Sequence, residues 1–554
     1  MTGQPAPAAT RGFESLAQQL KEARFTGLFG LMGDANLDLV AACVQRHGLR
    51  FVAARTEAGA VAMADGCARV TGRPALATVT CGPGLTNAIT ALTTAVRAGT
   101  PLLLVTGQIP LQAVSRNQRF DHAAVLAPTG AAVLTIESAQ QLHGCVARAL
   151  ALLNEQGRPV VLNVMVPVLD GQAPGGGDAE ADTAPRAQNP APAPAPEALQ
   201  LFARKLTQAR RPVLLAGRGA VRAGALDALG QLADRTGAML ATTLCAKDAF
   251  AGSPRDLGLS GGFALEAGAC VLRDADLIVA FGANLNAWTT AAGSAYGQAE
   301  ILQCDADPSA FARASVALAG HWQGDAAGCT RQLLAALPAG ERPAWHAPVA
   351  REDGPAAAHG ATGGRVDPRA LCAWLDRRLP ADRLLAVDGG HFFEFPSKFI
   401  RVPRASASIF SLDFGSIGLA MGMGLGAAVG QPASLSVIAV GDGGFMMALP
   451  ELDTAVRHRI PSLFVVFNDA AYGAEVKHLE ERGWSPELAA FDMPDIARLA
   501  TSMGARGITV RSVADLESHA AQIAAPTGPL VLDVHIDPAI EAEWIGLARR
   551  IRGR

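Results

Sequence analysis

The residues best suited to chemistry sit where apolar runs end. Gly441-Asp442-Gly443-Gly444 follows SLSVIAV. A turn of glycines leaves backbone N–H groups open to an anion, and an adjacent carboxylate can hold Mg2+. The pair suits a diphosphate–magnesium complex. The plainer alternative is a strand-to-helix turn with a capping Asp. Downstream, PSLFVVF ends in Asn468-Asp469. Adjacent parallel strands bring their carboxyl ends together, so Asp442 and the Asn468-Asp469 pair can share one cation. Glu57 follows FVAAR and opens a helical pattern. At its plainest it favours the helix dipole there.

Positioning these groups requires strands that end together. LFGL, ALATV, PLLLVTG and PVVLNVMV read as buried parallel strands, with helices over 57–70 and 85–97 between them. PVLLAG, ADLIVAFG and AEILQCD read the same way in a second block, and DRLLAVD, LSVIAVGD, PSLFVVFN and GPLVLDVHID in a third. Two Pro-, Gly- and Ala-rich stretches, 171–196 and 343–366, are too poor in large apolar residues to offset chain entropy and read as linkers. The expectation is an α/β chain of three doubly wound parallel-sheet domains, at 1–170, 197–342 and 367–554. Ligands bind at the carboxyl ends of such strands.

Composition narrows the function. The 554 residues carry 47 basic and 50 acidic side chains, for a net charge of −3. That gives no basic field for a phosphate backbone, so nucleic acid is not an expected partner. There is no apolar run long enough for a membrane span and no apolar signal core at the start, so a cytoplasmic location is expected. The 9 cysteines are scattered without a C-x-x-C pair, which points away from zinc knuckles and disulfide frameworks. The 59 glycines raise the question of whether they lie in linkers or at sites. Those at Gly82–Gly84, Gly418–Gly426 and Gly441–Gly444 gather outside the linkers, and the family resemblance that follows implies close backbone approaches there to a flat heterocycle and a diphosphate.

The GDG turn and the Asn468-Asp469 pair together resemble the thiamine-diphosphate signature. The resemblance extends over most of the chain, to the acetolactate synthase and pyruvate decarboxylase superfamily. It is carried by Met32-Gly33-Asp34-Ala35-Asn36, Arg55-Thr56-Glu57-Ala58-Gly59-Ala60, Ala64-Asp65-Gly66-Cys67-Ala68-Arg69, Gly82-Pro83-Gly84-Leu85-Thr86-Asn87, Thr106-Gly107-Gln108-Ile109-Pro110 and Gly418-Leu419-Ala420-Met421-Gly422-Met423-Gly424. It implies a pyrimidine-binding, a central and a diphosphate-binding domain, with thiamine diphosphate and Mg2+ as cofactors. It implies that Glu57 bonds N1′ of the aminopyrimidine, with a pKa raised by burial towards the working pH. Pro83 and Asn87 fall in the same cofactor-binding set. Met421 would wedge the cofactor into a V, with Leu419 beside it at the pyrimidine edge, where core packing is the alternative. Gly441, Gly443 and Gly444 would meet the diphosphate, and His391-Phe392 and Tyr472-Gly473 would lie beside it. For His391-Phe392 a surface role is the alternative. Aligned without gaps, Asp469 takes the place of the family's metal-binding Asn, with Asp442 and the Ala471 carbonyl as the other ligands. With a gap, Asn468 and Ala470 serve instead; the ungapped version is preferred.

The resemblance implies a reaction at a carbonyl, typically of a 2-oxo acid. It is expected to be a decarboxylase or carboligase, with an aldehyde or ketone as acceptor in the second case. A hydroxyketone lyase is an alternative. Asp34, His122 and Glu475 match decarboxylase positions and could form a proton relay. Otherwise Asp34 caps the helix at Asn36, and His122 and Glu475 are surface residues. In the central block, Gly217-Arg218-Gly219-Ala220-Val221-Arg222 resembles a dinucleotide fingerprint with Arg in place of the last Gly. A flavin (FAD) oxidase on the same fold is therefore kept as an alternative. The resemblance also implies a homodimer or homotetramer with active sites between subunits.

Overall fold

A computed structural model describes residues 10–113, 116–173, 196–350 and 364–553. Among them the chain forms three six-stranded parallel sheets flanked by helices, an α/β architecture. Across the first sheet the strands run Phe51–Ala53, Leu28–Gly30, Ala75–Val79, Leu102–Gln108, Val160–Met165, Ala132–Ile136. The middle sheet runs Asp256–Leu259, Met239–Thr242, Pro212–Ala216, Leu277–Phe281, Glu300–Asp305, Gly320–Gln323. The third runs Ser408–Phe410, Arg383–Val387, Leu435–Gly441, Ser462–Asn468, Pro529–His535, Arg506–Val510. Numbered along the chain within each sheet, the first and third share the order 2-1-3-4-6-5, whereas the middle one is 3-2-1-4-5-6.

The inner strands are the apolar runs of the sequence. Leu102–Gln108 and Ser462–Asn468 are buried at every residue, because helices cover both faces. The edge strands Ala132–Ile136 and Arg506–Val510 keep partly exposed positions.

Most of the two expected linkers, 174–195 and 351–363, lies outside the described residues. Their flanks are ordered. Gln172–Ala173 pairs antiparallel with Thr10–Arg11. Residues 343–350 lie against the middle sheet, where the Trp345 indole donates to the Pro212 carbonyl at 2.8 Å. Trp345 and Val349 supply the apolar contact that composition averaged away.

Inside one chain the helix Glu57–Thr71 packs on the helix Ala420–Gly430, and glycines set the distance. A Cβ on Gly66 would stand 1.9 Å from the Met423 carbonyl oxygen, and one on Gly426 would stand 1.8 Å from that of Met63. Gly422 likewise faces Ala62, and Gly424 faces Ile438. Gly66, Gly422 and Gly426 therefore permit a helix crossing and Gly424 the packing of its helix on the sheet, where the sequence pointed to the approach of a heterocycle. A buried ionic knot joins all three sheets' surroundings. Asp413 accepts from Arg69 at 3.0 Å and from Arg218 at 2.6 Å, and Asp65 holds the other edge of Arg69. The dinucleotide-like turn is used here for docking. The helix it opens, Arg218–Arg222, is a single turn, and both of its arginines donate to the Ala98 carbonyl.

Candidate active site

The strands Leu435–Gly441 and Ser462–Asn468 end level, with Gly441 opposite Phe467. Beyond them opens a cavity of about 1200 Å3, lined by His391, Phe392, Gly441, Asp442, Gly443, Gly444, Asp469, Ala471, Tyr472, Gly473 and Glu475. The helix Asp442–Met447 starts at the turn itself. Asp442 is 1% exposed. Its Oδ1 accepts from the Gly443 N–H at 2.7 Å, and its buried Oδ2 has no hydrogen-bond partner among the described residues. Burial pushes the Asp442 carboxyl up to about 6. Burial, and then the neighbouring Asp442, push Asp469 up to about 7. Two carboxyls thus face one space with a lone pair unclaimed, which is the donor set of a hard divalent cation.

Asn468 is not free to join them. Its Nδ2 donates to the buried Asp533 at 2.7 Å, and its Oδ1 accepts from the Ala470 N–H at 3.1 Å. Ala470 has φ +58°, so the chain turns sharply after Asp469. Asp469 and Ala471 line the cavity, while Asn468 is engaged by Asp533 and the Ala470 N–H. No cluster of three His, Cys, Asp or Glu side chains suited to a metal occurs among the described residues. A cation here has two carboxylates and must take its other ligands from backbone carbonyls, water or the bound molecule. The Gly441–Gly444 turn lies beside them. A Cβ on Gly443 would stand 2.4 Å from the Tyr472 ring, so glycine is required.

His391 is buried, not at the surface. Its Nε2 accepts from the Ala542 N–H at 3.0 Å, and the Trp544 indole donates to its carbonyl at 3.0 Å. Burial, helped by Lys477, lowers His391 to about 4, which keeps it neutral. Phe392 stacks on Phe467 with ring centroids 4.7 Å apart. Asp388 was missed by the sequence reading. It is fully buried and accepts from the Gly418 N–H at 2.6 Å and the Ser411 hydroxyl at 2.8 Å. Burial still raises it to about 6. It fixes the turn that delivers Leu419 and Met421. The DGG that closes DRLLAVDGG was its only sequence signal.

The glutamate lies elsewhere. Glu57 opens its helix behind the N-cap Thr56, whose hydroxyl accepts from the Gly59 N–H. Glu57 is 9% exposed. The Asn87 amide donates to Glu57 Oε2 at 3.2 Å. Pro83 starts the helix Pro83–Ala98 after Gly82, whose φ is +59°. Glu451, also missed, reaches across from the third sheet's side and accepts from the Thr56 N–H at 2.9 Å and its hydroxyl at 2.8 Å. Gly59 leaves it room, since a Cβ there would be 2.1 Å from Glu451 Oε1.

His122 is completely buried, which removes its surface alternative. Its Nε2 accepts from the Gly82 N–H at 3.2 Å, so Nδ1 carries the proton and donates to Asn163 Oδ1 at 2.9 Å. Burial lowers its pKa below the usual histidine value. Both nitrogens hold the Gly82 turn in place. Asp34 does not cap the helix: Asn36 Oδ1 accepts from the Gly33 N–H instead. The Asp34 side chain is 80% exposed, 3.7 Å from Arg116. Glu475 is exposed and lines the Asp442 cavity. The residues lining that cavity include neither Glu57, Pro83 and Asn87 nor Asp34, His122, Leu419 and Met421, and Met421 is fully buried. The lining of this cavity therefore holds the diphosphate set and not the Glu57 set.

Three parallel-sheet domains with a glycine–carboxylate turn at a strand end define an α/β enzyme that binds an anionic cofactor. Residues 10–125, 199–333 and 388–534 match the N-terminal TPP-binding, central and C-terminal TPP-binding domain models of thiamine pyrophosphate enzymes. The chain belongs to the thiamine pyrophosphate enzymes, in their acetolactate-synthase-like group. It is 31% identical over 541 residues to a Pseudomonas aeruginosa protein named a probable 2-ketoarginine decarboxylase, covering 93% of this chain and 91% of that one. It is 28% identical over 538 residues to the sulfoacetaldehyde acetyltransferase of Castellaniella defragrans, covering 89% and 86%. It is 27% identical over 524 residues to the acetolactate synthase large subunit IlvB1 of Mycobacterium tuberculosis, covering 90% and 83%. A solved structure from Mycobacterium smegmatis, described provisionally as a thiamin diphosphate-dependent enzyme, shares the fold at TM-score 0.77 and 22% identity, covering 95% of this chain and 99% of that one. No helix among the described residues is long and apolar enough to cross a membrane.

Proposed function

We propose that the protein is a thiamine-diphosphate- and Mg2+-dependent enzyme that forms or cleaves a carbon–carbon bond next to a carbonyl, a 2-oxo acid decarboxylase or carboligase. The observation that carries this reading is the Asp442–Asp469 pair facing one cavity, with Asp442 Oδ2 unpartnered, beside the Gly441–Gly444 turn. Asp442, Asp469 and the Ala471 carbonyl would hold the cation, and the Gly444 N–H the diphosphate, the Gly443 N–H being already given to Asp442 Oδ1. When bound, thiamine diphosphate supplies the electron sink for the acyl carbanion.

The remaining roles belong to the chain's own side chains. Glu57 moves a proton at N1′ of the pyrimidine, oriented by Asn87. His122, through Gly82, sets the Pro83–Asn87 turn beside it and does not itself carry protons. Leu419 and Met421 hold the pyrimidine edge, on a loop fixed by Asp388. Asp34 and Glu475 remain the candidates for the proton that ends the reaction. Because Glu57 does not line its own chain's Asp442 cavity, two copies complete each site, and a homodimer is the smallest active unit. The domains are read as 1–170, 197–342 and 367–554, with residues 343–350 attached to the middle one.

The decisive experiment is a screen of 2-oxo acids, alone and with aldehydes, on cofactor-stripped protein. It should include one substrate with a guanidinium side chain, as the name of the Pseudomonas relative suggests. Turnover is expected only with thiamine diphosphate and a divalent cation together, with CO2 release. Hydroxyketone cleavage without CO2 would refute the 2-oxo acid assignment.

A further inference from the structure

We infer that the cation site of this chain loads before the diphosphate and without it, because two acidic side chains, Asp442 and Asp469, share it. The inference rests on the cofactor reading above. Asp442 and Asp469 both line the cavity, and Asp442 Oδ2 is buried without a partner. With Asn at the second position a cation would meet one carboxyl there; here it meets two. An added carboxylate strengthens attraction for a divalent cation and, by the same Coulomb term, repels an incoming diphosphate. The cation must therefore be in place first.

The second carboxylate is placed by the protein itself. Asn468 is tied to Asp533 on the neighbouring strand at 2.7 Å and holds the Ala470 N–H at 3.1 Å. Ala470 at φ +58° reverses the chain directly after Asp469. Gly473 leaves the carboxylate its space: a Cβ there would be 2.4 Å from Asp469 Oδ2. The acidic pair is thus held by backbone and clamp.

The test uses full-length chain stripped with EDTA, with Mn2+ as the probe. Free Mn2+ is followed by electron paramagnetic resonance, and thiamine diphosphate binding by calorimetry, each alone and together. Wild type should bind one Mn2+ per chain without thiamine diphosphate, and should bind thiamine diphosphate negligibly in EDTA. Asp469→Asn should weaken Mn2+ binding alone by about tenfold or more, and should make metal-free thiamine diphosphate binding detectable. These opposite signs are not a consequence of general loosening. Mn2+ uptake only in the presence of thiamine diphosphate would overturn the inference and leave the cofactor reading intact. No binding even with both present would instead sink the cofactor reading. If Asp469→Asn does not fold, judged by its melting curve, the wild-type Mn2+ stoichiometry alone decides.

Discussion

The first and third sheets share the strand order 2-1-3-4-6-5 and differ in what stands at their carboxyl ends. In the first, the ends are internally satisfied. His122 bridges Gly82 and Asn163, and Asn163 donates in turn to Gln108. Those side chains are neutral, so burial costs them little once each hydrogen bond is made. The third sheet's ends carry Asp388, Asp442 and Asp469, each pushed above the usual carboxyl range by burial. Asp388 is offset by N–H and hydroxyl donors, whereas Asp442 keeps an unclaimed oxygen. One topology thus yields a rigid frame that presents a single glutamate, and a charged socket that a ligand must complete. The polar content at the strand ends, more than the fold, separates the two roles.

The sharpest way to break this contrast is Glu57→Gln. Turnover should fall by about 10²–10⁴-fold while cofactor binding changes little. A variant with full turnover would show that the first sheet supplies frame and nothing more. Next in size, Asp442→Asn should reduce thiamine diphosphate affinity in Mg2+ by about 100-fold, measured by calorimetry, and leave Glu57 untouched. An unchanged affinity would mean that the charged socket is not the cofactor end.

Gly426→Ala tests the crossing that joins the two regions. Its new Cβ meets the Met63 carbonyl, so stability should fall by about 1–3 kcal/mol in a denaturant titration. No loss would show that the two helices can separate freely. The smallest effect concerns His391, whose pKa is lowered in the folded state to about 4. The folded chain therefore binds fewer protons there than the unfolded chain. The stabilisation is present above the unfolded value near 6.5 and is lost as pH falls towards about 4. The protection of residues 540–551 against hydrogen exchange, corrected for the intrinsic rate at each pH, should fall over that window, because opening the segment lets His391 take up a proton. Protection that is flat with pH would remove His391 from the docking of this segment.

Much of the site was legible because it sits directly after strong strand signals. Gly441–Gly444 and Asp469 follow buried apolar runs, and Glu57 follows FVAAR. The three sheets were legible for the same reason: their inner strands are apolar on both faces. The edge strands were hidden by partial exposure, and the attachment of residues 343–350 by a composition that masks Trp345. Glu451, Asn163 and Asp388 were not legible as site residues, since each acts on a partner distant in sequence. The glycines of 422–426 misled, because closeness to a helix and closeness to a heterocycle demand the same missing side chain.

The sequence by itself determined the fold class, the family and the turn chemistry, all of which are written in local pattern and spacing. Only the tertiary structure decided which polar groups are already satisfied. It tied Asn468 to Asp533 and left Asp469 for the cavity, it bound both nitrogens of His122, and it put Glu57 outside the lining of the Asp442 cavity. Burial and hydrogen-bond pairing are set by residues tens to hundreds of positions apart, so no local reading of one segment can assign them.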